Sequence, residues 1–301
     1  MKKILVTGGA GFIGSAVIAH LQKAGHEIFV IDNLSFGNRD FIKIDDSHFF
    51  NADILDEKRM DEIIGSVKPQ YIIHLAAIHF IPYCNQHPFE SSNINIRGTI
   101  HILKAAKKHK PEKVFFASTA ATYPIYDHAV SETHGVGPMD VYGLSKLTGE
   151  HLCNEFHLDT KIPVVICRFF NAFGPNETNP HLIPEIQKQV LEGKRKIQLG
   201  NLTPKRDFIH TYDMAAAVDT LLSKVTEGIH TFNLGRGIEY AVTEIVDAFS
   251  KAIGENIEIE VDPARVRKVE REHLLADVSK LKSLGWEPKI SIEEGIKTLV
   301  Q

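Results

Sequence analysis

The chain has 301 residues, 43% apolar and 24% charged, with a net charge of −4. That length can bury a large core as one elaborated domain or two lobes, and the charge gives no hint of nucleic acid or an anionic membrane as partner. No apolar run approaches the roughly 18 residues of a membrane span, and the sequence opens on a strand rather than a leader. Three cysteines, Cys84, Cys153 and Cys167, without a C-x-x-C, predict a reduced, cytoplasmic setting and no disulfide framework. Sixteen histidines include no H-x-x-H or H-E-x-x-H pair, so no metal is expected.

In chain order, the first apolar strand (2–6) runs straight into Thr7-Gly8-Gly9-Ala10-Gly11-Phe12-Ile13-Gly14 and then a helix over 12–24. Gly9, Gly11 and Gly14 fit the G-x-G-x-x-G spacing, and Gly8, Gly11 and Gly14 a G-x-x-G-x-x-G variant. Such a turn lets the backbone approach a pyrophosphate, whose charge then sits at the positive end of the helix. A second strand (27–31) ends in Asp32, about 20 residues on, where a carboxylate can accept hydrogen bonds from an adenosine ribose. Strand, glycines, helix, strand and acid in register point to a nicotinamide dinucleotide. A carboxylate there repels a 2′-phosphate, which favours NAD over NADP.

Further strands are predicted near 71–75, 113–117 and 163–167, and helices near 56–66, 89–109 and 139–157. That alternation demands parallel strands with right-handed crossovers, hence an α/β fold with a doubly wound parallel (Rossmann) sheet. The strand at 113–117 runs out into Ser118 and Thr119, at the carboxyl edge where ligands bind in such sheets. In the helix that follows, Tyr142 and Lys146 form the only Y-x-x-x-K of the chain, a spacing that stacks both side chains on one helix face. An ammonium there, with a positive nicotinamide ring nearby, is expected to lower the tyrosine pKa so that it can exchange a proton with a hydroxyl. Beyond Pro175 the texture changes, with Pro180, Pro184 and Pro204 punctuating shorter elements. The expected division is 1–171 plus 206–250 for the dinucleotide-binding domain. Residues 172–205 plus 251–301 are expected to form a smaller, discontinuous substrate-binding lobe.

The order of these motifs, with Ala52-Asp53-Ile54, His74-Leu75-Ala76-Ala77 and Arg168-Phe169-Phe170-Asn171, resembles the extended short-chain dehydrogenase/reductase superfamily in its nucleotide-sugar epimerase/dehydratase branch. The resemblance covers nearly the whole chain. It implies that the glycine turn with Phe12 and Ile13, Asp32 with Asn33, and the pair Asp53 and Ile54 hold NAD. It places Leu75, Ala76, Ala77, Phe169 and Asn95 in the cofactor set as well, Asn95 as the residue that keeps the central helix in order. Thr119, assisted by Ser118, Tyr142 and Lys146 match the catalytic group. His79, Thr119, Asn171, Arg206 and Arg267 match positions facing a nucleoside-diphosphate sugar, the two arginines as a clamp on its diphosphate. A homodimer built on the helices near 89–109 and 139–157 is likewise implied.

Dehydratases of this branch carry acidic residues after the catalytic threonine, whereas this chain has Ala120-Ala121. Two methyl groups cannot move protons, so epimerisation at C4 through a 4-keto sugar is expected, with a sugar dehydrogenase or reductase as the alternative and a dehydratase less favoured. A non-catalytic dinucleotide-binding regulator would not need the intact Thr119, Tyr142 and Lys146. The bulky His79-Phe80-Ile81-Pro82-Tyr83 predicts an altered sugar pocket, and the loop 200–207 leaves the base open among uridine, guanosine, cytidine and thymidine.

Overall fold

A computed structural model describes residues 1–266 and 271–300. The first half alternates β1 (Lys3–Thr7), α1 (Phe12–Lys23), β2 (Glu27–Asp32), β3 (Phe49–Asn51), α2 (Glu57–Val67) and β4 (Tyr71–His74). Two short helices, α3 (Ile81–Gln86) and α4 (Pro88–Ser92), then lead through a π turn at Asn93–Arg97 into α5 (Gly98–His109). β5 (Lys113–Thr119), α6 (Val141–Thr160), β6 (Val164–Phe169) and β7 (Asn171–Phe173) follow. The remainder comprises α7 (Leu182–Leu191), β8 (Lys196–Leu199), β9 (Lys205–His210), α8 (Thr211–Lys224), β10 (Ile229–Leu234) and β11 (Glu239–Ala241). It closes with α9 (Val242–Ile253), β12 (Glu258–Val261), α10 (Ser279–Lys282) and α11 (Ile292–Val300).

Seven strands form one parallel sheet in the order β10-β6-β5-β4-β1-β2-β3. The chain winds outward from β1 and then returns to β4 on its other side, which opens a crevice at the carboxyl ends of those two strands. Because both faces of a parallel sheet are covered, its strands are apolar throughout and successive residues feed opposite layers. Phe115 joins Val17, Leu21, Val218 and Phe232 on the face of α1 and α8. Phe116 joins Ile63, Ile102 and Phe156 on the face of α2, α5 and α6.

The helix expected over 89–109 is broken by the π turn, and β3, three residues long, is too short to stand out in the sequence. The packing also divides the chain differently from 206–250 and 251–301. β9 lies between β7 and β11 in a separate three-stranded sheet. The stripe Val242, Ile245, Val246 and Phe249 of α9 packs with Ile183 and Ile186 of α7 and Ile292 and Ile296 of α11, so 239–253 belongs to the smaller core. Conversely, Leu281 of α10 and Trp286 pack into the core of the large sheet, where the indole N–H donates to the Asp213 carbonyl at 3.2 Å. Proline spacing cannot reveal this, since the division follows which face each apolar stripe meets.

Candidate active site

A cavity of about 1320 Å³ lies at the crevice and is walled by both lobes. On its cofactor side β1 turns sharply at Gly8, whose φ is 72° and where a Cβ would stand 2.7 Å from the Ala76 nitrogen. A Cβ on Gly14 would overlap the Gly8 carbonyl, so α1 starts hard against the turn. Its N-cap is Gly11, with no side chain to satisfy the first amides. Those amides stay available to an anion at the positive end of the helix, and Gly11, Phe12, Ile13 and Gly14 all line the cavity.

Asp32 closes β2 nearly buried, its carboxylate accepting the N–H of Ala10 and of Leu34, each at 2.9 Å. Burial pushes its pKa up while the two amides pull it down, leaving it raised. Asn33 donates to Asp53 at 2.9 Å, Leu55 N–H to the other oxygen of Asp53 at 2.8 Å, and Ile54 is buried beside them. Leu75 N–H donates to the Thr7 carbonyl at 3.1 Å, which lays Leu75, Ala76 and Ala77 along the crevice opposite Phe169. The glycine cradle, uncapped helix and buried acid fit NAD. Asn95 differs from its cofactor-binding expectation because it stands behind the wall. There its amide oxygen accepts Ile78 N–H at 2.8 Å and its NH2 donates to the Ile78 carbonyl and to Ser145 Oγ, each at 2.9 Å.

Thr119 ends β5 and Tyr142 sits in the first turn of α6, started by Asp140 through a 2.7 Å cap to Gly143 N–H. The Tyr142 phenol and Thr119 share the cavity wall, where the Thr119 hydroxyl favours the phenolate. Burial nevertheless raises the phenol pKa, outweighing Thr119, and Cys84 and Asp140 push it the same way. Lys146, one turn on, lies 4.2 Å from the Phe116 ring centroid. Burial brings its pKa down to about 8 against the opposing pull of Cys153 and Glu150. The expected lowering of the tyrosine pKa by Lys146 is therefore absent from the protein alone. Ser118 departs from its catalytic expectation as well, since its buried hydroxyl donates to Glu150 at 2.5 Å and not to the tyrosine.

On the sugar side, His79 is locked by the smaller lobe: Asn179 Nδ2 donates to its Nε2 at 3.0 Å. Burial lowers the His79 pKa and Glu177 opposes, with His181 and Lys146 adding to the fall. Asn171 and Arg206 line the cavity, Arg206 also donating to the Arg271 carbonyl at 2.7 Å. Asp207 is not its partner; that buried carboxylate accepts the N–H of Arg236, Gly237 and Ala276. Arg267 lies outside the described residues. Two arginines the sequence reading passed over, Arg265 and Arg271, do line the cavity, Arg271 donating to the Tyr123 carbonyl at 2.7 Å. The signal for them was the basic run 265–271 itself. Among the described residues no cluster of His, Cys, Asp or Glu could hold a metal ion, and no helix is long and apolar enough to cross a membrane.

The GDP-mannose 4,6 dehydratase family model matches residues 5–299. The UDP-glucose 4-epimerase of Bacillus subtilis is 32% identical over 321 residues, covering 97% of this chain and 94% of the relative. The UDP-glucose 4-epimerase of Thermotoga maritima, solved with UDP-glucose, superposes with a TM-score of 0.90 at 29% identity, over 99% of this chain and 97% of that one. That of Thermus thermophilus, solved with NAD, gives 0.89 at 29% identity over the same shares.

Proposed function

The chain belongs to the GDP-mannose 4,6 dehydratase family, and on that premise we propose that it inverts C4 of a nucleoside-diphosphate sugar as an NAD-dependent epimerase. The observation that carries this is Ala120 and Ala121 on the cavity wall beside Thr119 and Tyr142. Elimination of water needs an acid and a base at the sugar, and these two residues offer neither. Relatives that act on UDP-glucose, in name and in crystal, make uridine the base of choice and UDP-glucose with UDP-galactose the substrate pair.

NAD, which the Gly8–Gly14 turn, Asp32 and the Leu75-Ala76-Ala77 segment would hold, would supply reversible hydride acceptance at C4. Tyr142, ionised once the positive nicotinamide ring stands beside it, receives the proton of the C4 hydroxyl and later gives it back, so one residue serves both halves of the reaction. Thr119, on the cavity wall with Tyr142, donates to the C4 oxygen as its charge develops. Lys146, one turn from Tyr142 on the cavity wall, would hold the nicotinamide ribose and keep positive charge beside the phenol. Asn171 and Arg206, joined by Arg267 on its motif position, grip the diphosphate while the keto sugar rotates.

The assembly is read as a homodimer through α4–α5 and α6, where Phe89, Leu144 and Leu158 are exposed. Cytoplasm is its expected setting, with Cys84, Cys153 and Cys167 all buried thiols. The test is proton NMR of the anomeric signals after mixing the protein with UDP-glucose. UDP-galactose appearing without net cofactor consumption, and absent with Tyr142→Phe, is the expected result. A 4-keto product, or conversion only with stoichiometric cofactor, overturns the reading.

A further inference from the structure

Beneath Thr119, Tyr142 and Lys146 lies a buried ionic cluster that the proton chemistry above leaves unused. Glu150 follows Tyr142 and Lys146 at helical spacing, which puts all three side chains on one stripe of α6. Its carboxylate is held by β5 and β6 together. Ser118 Oγ donates to Oε1 at 2.5 Å, Arg168 Nε to Oε1 at 2.9 Å, and Arg168 Nη2 to Oε2 at 2.6 Å. Arg168 Nη1 also donates to the Tyr123 hydroxyl at 2.9 Å, which in turn donates to Asn233 at 2.8 Å. Glu150 and Arg168 are only 5% and 6% exposed.

A buried ion pair is a weak way to stabilise a fold, and apolar residues of similar volume often serve as well or better. This pair, however, sits where two catalytic elements must stay in register. Ser118 precedes Thr119 on β5, so fixing Ser118 to α6 fixes the threonine relative to Tyr142 on the same helix. The carboxylate is also one turn from Lys146.

We infer that Glu150, clamped by Arg168 and Ser118, is a positioning residue of the active site: it locks the end of β5 onto α6 and sets the charge environment of Lys146. The inference rests on the epimerase reading. The electrostatics agree, because Glu150 is one of the groups raising the Lys146 pKa against burial. Without that carboxylate, Lys146 loses one of the two groups that hold its proton against burial, Cys153 being the other, and releases it more readily.

The isosteric Glu150→Gln keeps a bond to Ser118 but removes the charge. It should lower kcat about ten- to a hundredfold by misplacing the reacting groups, with KM within about twofold. The alkaline limb of its pH profile should move down by about one unit. A double variant, Glu150→Leu with Arg168→Met, should regain thermal stability without regaining kcat. A readout independent of any sugar is the 13C NMR titration of Lys146, assigned with Lys146→Arg, whose midpoint should fall in Glu150→Gln. Unchanged kcat and unchanged Lys146 midpoint in a folded Glu150→Gln overturn the inference, as does a double variant that recovers kcat together with stability. If the unaltered protein converts no nucleotide sugar, the epimerase reading has failed by itself, and the Lys146 titration still decides the role of Glu150.

Discussion

At Tyr142 two influences oppose each other: burial holds the phenol protonated, and the Thr119 hydroxyl works toward the phenolate. Removing the hydroxyl in Tyr142→Phe takes away the proton acceptor and should lower kcat by about 10²–10⁴ while the sugar and cofactor still bind. Single-turnover kinetics with UDP-galactose, read beside equilibrium binding, checks this. Thr119→Ala should cost about 10²-fold in kcat, and Thr119→Ser, which keeps the donor, far less. Asp32 is a separate case, because its carboxylate is tied to the Ala10 and Leu34 amides and faces the cavity as a fixed negative charge. Its replacement in Asp32→Ser should relax discrimination against NADP, seen as convergence of the two cofactors in a binding titration; an unchanged ratio would mean Asp32 does not read the ribose.

The element that matters most is α6, whose first turn carries the tyrosine and whose start is fixed by the Asp140 cap. Asp140→Ala should remove about 1 kcal/mol of stability, whereas Asp140→Asn, which can still cap, should lose little; urea unfolding distinguishes them. The pairing of Tyr142 with Lys146 was legible in the sequence because it is local, a matter of spacing along one helix. The glycine turn and Asp32 were legible for the same reason. The role of Ser118 was not, since its partner Glu150 comes from α6 and the arginine beside it from β6, a junction made only when the sheet closes. The π turn was equally hidden, though it is what turns Asn95 toward Ile78 and Ser145.

Over the whole molecule, acid sensitivity follows from imidazoles buried in neutral form. His74, between the Thr7 and Thr99 hydroxyls, has its pKa pulled by burial from 6.5 to about 3, and His210 falls to about 4. Between those values and 6.5 the unfolded chain binds more protons than the folded one. Stability is therefore full above pH 6.5 and declines as the pH falls, by up to about 1.4 kcal/mol per unit for each such group. Urea unfolding at pH 7 and pH 5 should show the decline, and His74→Gln should make it shallower. The parallel sheet was readable from alternating apolar runs, but the lobe division was not, because α9, α10 and α11 are allotted by contacts distant in sequence. The single tryptophan, Trp286, sits in the large core just before the chain crosses to α11 in the small one. Its fluorescence is thus a built-in spectroscopic reporter of the seam: emission that melts in step with circular dichroism marks one cooperative unit, and emission that lags marks a small lobe that frays first.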